Sequence, residues 1–198
     1  MASLTDMVEQ QLAGNTLTDM SRQIGAQPAA VQQAISVALP LLMGGLASNA
    51  SRPDGAQALN TALEQDHDGG VLNNLSGLMS NPQAFSGAGI LGHILRGKQS
   101  PVAQGIGKAT GLNAQQVTQL LMMLAPIVMG VLGRQKRQQK LDSGQLGTVL
   151  EQERTDMEKR SPGAGGLLGG LDRDNDGSVT DDIARLGQGM LGNLLGKR

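Results

Sequence analysis

Residues 171–183, LDRDNDGSVTDDI, hold the densest chemistry in the chain. Asp172, Asp174 and Asp176 recur at every second position, and Gly177 follows the third. That spacing matches positions 1, 3, 5 and 6 of an EF-hand loop, where alternate carboxylates wrap a calcium ion and a glycine makes the sharp turn. Ser178 at position 7 offers its backbone carbonyl, and Val179 is the apolar residue that follows. Ile183 stands where a bidentate glutamate closes such loops. The nearest carboxylate is Asp182, with Asp181 its rival, so the loop closes short of the usual length. The expected ligands are therefore Asp172, Asp174, Asp176, Ser178 and Asp182, and the expected ion is calcium. Three alternating aspartates repel one another without a cation, which a plain solvated turn does not explain; the rival reading is an Asx-rich capping turn. A shorter echo, Asp66-His67-Asp68-Gly69-Gly70, lacks the leading acid and the closing pair and reads as vestigial.

Other chemistry is sparse. His67 and His93 are the only histidines, and neither sits in a nucleophile or metal-ligand spacing. Cysteine is absent, which removes thiolate catalysis and zinc–sulfur sites. Phosphate-binding and metalloprotease motifs are missing too, so no enzyme is expected. A net charge of −1 steers the chain toward neither nucleic acid nor anionic lipid. With one phenylalanine and no other aromatic, a base-stacking platform is excluded. The one basic cluster, Arg134, Lys136, Arg137 and Lys140, reads as a solvated helix end complementing the helix dipole.

The elements that carry these residues are helices. Stretches 34–47 and 120–133 are the most apolar, each about 14 residues long and interrupted by a proline, short of the roughly 18–20 a bilayer needs. Both read as buried core helices. The N-terminal residues carry acids early and have no signal-peptide pattern, so a cytoplasmic location with no membrane contact is expected. Residues 25–46 align without gaps on residues 111–132, an offset of 86. Gly25/Gly111, Val31/Val117, Pro40/Pro126, Met43/Met129 and Gly44/Gly130 are identical pairs. Val117, Leu120, Leu121, Leu124, Ile127, Val128 and Val131 follow one helical face. The echo continues in 59–65 against 146–152, 66–75 against 174–183, and 89–98 against 189–198. Such self-similarity marks an internal duplication.

Helix punctuation agrees. Pro28 is placed for a first turn, Ser100 before Pro101 for a cap, and Asn113 for capping the second long helix. Gly25 and Gly111 suit helix C-termini. Pro40 and Pro126 fall mid-helix and predict a kink or a break. Ser21, Gly25 and Val31, repeated as Gly107, Gly111 and Val117, have helix–turn–helix spacing. The segment that would read bases, QPAAVQQ at 27–33, has no arginine or lysine for phosphates. The predicted class is all-α: duplicated homeodomain-like, helix–turn–helix-like units with long proline-kinked helices and a C-terminal EF-hand-type loop. Residues 1–98 form a first repeat, 99–160 the core of a second, and 161–198 a glycine-rich linker, the acidic loop and a closing helix.

The long helix with its mid-helix proline, the run GGLLGGLDRDNDGSVTDDI and the ending GMLGNLLGK resemble the YidB-like bacterial family, a domain of unknown function (DUF937). That resemblance implies a helical, homeodomain-like fold and, through the loop, calcium binding; it implies no reaction. The reading that follows is a non-enzymatic, self-associating helical protein of unassigned role. Its homo-oligomer contacts are expected to include residues 184–198. The alternative is a DNA-binding or nucleoid-associated protein using the helix–turn–helix-like units.

Overall fold

The computed structural model describes residues 3–160, and among them every regular element is helical. Helix α1 (Leu4–Leu12) opens with a capping box, in which Ser3 Oγ accepts from Asp6 N and Asp6 accepts from Ser3 N, both at 3.0 Å. Helix α2 (Asn15–Ile24) ends at Gly25, whose φ of 64° lets Gly25 N and Ala26 N turn back to the Arg22 and Ser21 carbonyls. Helix α3 (Pro28–Ala50) starts with its proline in the first turn. Helix α4 (Pro53–Gln65) leads through a short 3₁₀ turn to α5 (Leu75–Ser80), and a second such turn leads to α6 (Gly87–Leu95). Helix α7 (Gln99–Thr110) ends at Gly111, again left-handed, and α8 (Ala114–Gln139) opens with a capping box between Asn113 and Gln116. Helix α9 (Ser143–Arg160) completes the described chain.

The two long helices are the centre. On α8, Leu120, Leu121, Met123, Leu124, Ile127 and Val128 are each no more than 1% exposed. On α3, Ile35, Leu39, Leu41 and Leu42 are equally buried. Each such side chain contributes roughly 1.5–3 kcal/mol of burial. Helices α6 and α7 pack on α8, while α9 lies along α3 and against α4. Both long helices meet the length and composition of a membrane span, with windows of mean hydropathy 1.5 and 1.6. Those windows are 61% and 78% buried inside the fold, as core helices are.

Of the kink or break expected at Pro40 and Pro126, the break does not occur, since each proline sits inside one uninterrupted helix; one other expectation changes. Because Pro126 has no N–H, the Met122 carbonyl has no donor four residues on. Gly87 of α6 packs against that oxygen, where a Cβ would overlap it. Ser100 is not a cap. Helix α7 starts at Gln99 with Lys98 before it, and Ser100 Oγ accepts from Gln104 Nε2 at 3.3 Å. Pro101 is tolerated two residues deeper, at the third helical position, because amides throughout the first turn lack helical acceptors.

Long-range polar contacts set how the helices meet. Glu153 of α9 is buried, and its carboxylate accepts from Leu4 N at 3.0 Å, Thr5 N at 2.9 Å and Thr5 Oγ1 at 2.8 Å. It caps α1 from across the molecule. Gln116 Nε2 donates to the Ile24 and Gly25 carbonyls at 3.2 and 3.1 Å, and Asn49 Nδ2 to the His93 carbonyl at 2.9 Å.

Two outcomes follow. Glu153→Ala strips acceptors from two amides and a hydroxyl, and chemical denaturation should show a loss of about 1–3 kcal/mol; an unchanged midpoint would mean the cap contributes nothing. Gly133→Ala would drive a Cβ into the His67 carbonyl, whereas Gly92→Ala meets only Gln99 Nε2 at 3.6 Å. The first should lower Tm despite about 1 kcal/mol of helix propensity gained, and the second should hold or raise it. Equal melting curves would refute the close approach at Gly133.

Candidate functional site

The sequence-derived metal ligands, Asp172, Asp174, Asp176, Ser178 and Asp182, lie outside the described residues. Among the described residues no group of three or more His, Asp or Glu side chains is placed to hold a metal ion. The shorter echo at 66–70 is described, and it is a structural turn. Asp68 Oδ1 accepts from Gly70 N at 2.8 Å, while Asp68 Oδ2 meets Arg137 Nη1 at 3.1 Å. Gly69 turns the chain with φ 96°. The Gly70 amide, and then the Arg137 charge, hold the Asp68 carboxyl below its ordinary pKa.

The basic cluster is engaged by this same region. Lys136 is buried, and its Nζ lies 2.7 Å from Glu64 Oε1, which also accepts from Asn60 Nδ2 at 3.1 Å. The hydrogen bond from Lys136 is the largest cause of a lowered Glu64 pKa. Arg134 Nη2 donates to Asn73 Oδ1 at 3.3 Å. The sequence reading of these cations as a solvated helix end is therefore corrected: Glu64 of α4 accepts from the buried Lys136, and the turn after α4 supplies acceptors to Arg134 and to the still exposed Arg137. Lys136 and Arg137 in the last turn of α8 and Lys140 in its left-handed C-terminal position still complement the helix dipole.

A cleft of about 1080 Å³ opens between α4, α6 and the 3₁₀ turns. Its walls carry His67, His93 and Phe85, so both histidines and the sole aromatic share one concavity. Leu46, Leu59, Ile90, Ile94, Pro126 and Met129 line its apolar part, and Arg52, Asp54 and Arg96 its polar part. Burial pushes the His67 pKa down, so its imidazole favours the neutral form. A neutral imidazole, an apolar lining and exposed charges can bind a mixed apolar–polar group; nothing in the arrangement activates a nucleophile.

Sequence reasoning missed this shared cleft and the capping role of Glu153. For Glu153 a signal existed: it interrupts the buried face Leu146, Leu150, Met157 of α9. For the histidines, 26 residues apart, none did. The helix–turn–helix positions are structural: Ser21 Oγ donates to the Leu17 carbonyl at 2.7 Å, and Val31 and Val117 are buried.

No curated protein and no solved structure matches the chain. A family match spans residues 6–135, which takes in both proline-bearing long helices except the end of α8, and leaves out the acidic loop and the closing glycine–leucine run. On that match the chain belongs to the bacterial family of proteins of unknown function, DUF937.

Proposed function

We propose that the protein is a non-enzymatic, cytoplasmic helical protein that associates with copies of itself and holds calcium in the loop of residues 172–182. Its two α2–α3 and α7–α8 pairs are duplicated helix–turn–helix-like units. The observation that carries the non-enzymatic part is where the charged groups go: Glu153, Lys136, Glu64, Asp68 and Arg137 each tie one helix or turn to another. Self-association is supported by apolar side chains left half-buried at the surface, among them Met7, Leu17, Leu75, Phe85 and Val149. Calcium is supported by the spacing of Asp172, Asp174 and Asp176 before Gly177.

The DNA-binding alternative draws no support from the geometry. The start of α3 exposes Gln27, Ala29, Gln32 and Gln33, none of them cationic, and Arg134, Lys136 and Arg137 are engaged within the fold.

Calorimetry on the full chain should register calcium binding in the roughly micromolar-to-millimolar range of weaker EF-type loops, with Asp172→Ala weakening it more than Asp181→Ala. Absence of heat at millimolar calcium would remove the metal. Sedimentation at micromolar concentration with calcium present should give a mass above the 20.5 kDa of one chain; a clean monomer would end the self-association reading.

A further inference from the structure

Helix α8 carries a covering that α3 has only in part: Gly44 and Ala47 are already buried and α9 packs along α3, while Ser36, Val37, Pro40 and Ser48 stay open. The turn after α4 lies on α8, where a Cβ on Gly133 would overlap the His67 carbonyl and one on Gly130 would lie 2.5 Å from Val71 Cγ1. Farther along, α6 sets Gly87 over the Met122 carbonyl that Pro126 leaves without a helical donor. By the sequence offset, Met122, Pro126, Gly130, Gly133 and Arg134 correspond to Ser36, Pro40, Gly44, Ala47 and Ser48 of α3. Here Pro40 likewise leaves the Ser36 carbonyl without a helical donor. Ser36 is exposed and Val37 and Pro40 are half-buried, where Met123 and Pro126 are buried. Gly44, Ala47 and Ser48 line an open groove of about 680 Å³ whose other wall is Gly144, Gly147 and Thr148 of α9.

The sequence holds a match for what covers α8. Residues 174–179, DNDGSV, repeat DHDGGV at 66–71. Residues 187–195, GQGMLGNLL, repeat GAGILGHIL at 87–95, with Gly187 in the place of Gly87. The described chain ends at Arg160, in the helix that lies along α3, and residues 161–173 can span on the order of 40 Å. We propose that the α3 face from Ser36 to Ser48, with α9 beside it, is the docking site for this chain's own residues 174–195, which seat there as residues 66–95 seat on α8.

Charge separates the two sites. On α8 Asp68 meets Arg137 and the neutral Asn73 meets Arg134; the counterparts of these arginines on α3 are Ser51 and Ser48, and Arg154 nearby is paired with Glu151. A loop with Asp172, Asp174 and Asp176 therefore docks where no arginine replaces Arg134 or Arg137. Calcium supplies that positive charge, a clause that rests on the metal reading above while the docking does not. Ala47, in place of Gly133, holds residue 175 a methyl's width farther out.

The chain has no cysteine, so introduced pairs report cleanly. Ser48→Cys with Asn175→Cys, and as a control Gln23→Cys with Asn175→Cys, are treated with a short bismaleimide in equal mixtures of ¹⁴N- and ¹⁵N-labelled full chains. Docking predicts cross-linking within one chain about tenfold faster for the 48–175 pair than for the control, from the raised effective concentration. Equal rates, or cross-links only between chains, overturn it. A tenfold excess that calcium leaves unchanged upholds the docking and removes only the clause in which calcium supplies the charge.

Discussion

Close backbone approach at glycine is the constraint on which the packing around α8 depends. A core without tryptophan or tyrosine fills its space with Leu, Ile, Val, Met and Ala, so helices and turns must come near one another to leave no voids. On α8 and its neighbours that nearness is carried by Gly87 over the Met122 carbonyl, Gly130 against Val71 and Gly133 against the His67 carbonyl. Pro126 contributes by freeing the Met122 oxygen that α6 approaches. The mid-helix proline and the glycine of another helix thus act as one device.

Polar contacts then select one arrangement among the many that apolar faces alone would permit. The buried Glu153 carboxylate needs donors, and the start of α1 has unsatisfied amides to give. The buried Lys136 ammonium needs an acceptor, and Glu64 supplies it while remaining largely exposed itself. Removing Glu64 would leave the buried Lys136 ammonium without its acceptor, and removing Glu153 would leave the start of α1 without one, so these contacts specify how α4 meets α8 and α1 meets α9.

The family match ends at residue 135, before the last turn of α8 and the whole of α9. The helical core is therefore what the chain shares with its family, and the acidic segment lies beyond the shared part. Within the fold, the first acidic turn meets arginines of α8, and the sequence counterparts of those arginines on α3 are serines.

What the sequence determined by itself was local. Gly25 and Gly111 adopt the left-handed form, Pro28 begins α3 and Asn113 caps α8, because each depends on residues within a few positions along the chain. The all-helical class and the buried face from Val117 to Val131 followed from periodicity for the same reason. The cap at Ser100 was misplaced by a short-range competition that propensity leaves nearly level, since proline is accepted anywhere in a first turn. Tertiary structure alone decided the rest: that Glu153 serves α1, that Lys136 meets α4 and Arg134 and Arg137 the turn after it, and that His67 and His93 share a cleft with Phe85. An arginine that will be paired and one that will stay solvated have the same neighbours in sequence. Only the approach of a distant segment, and the water it displaces, tells them apart.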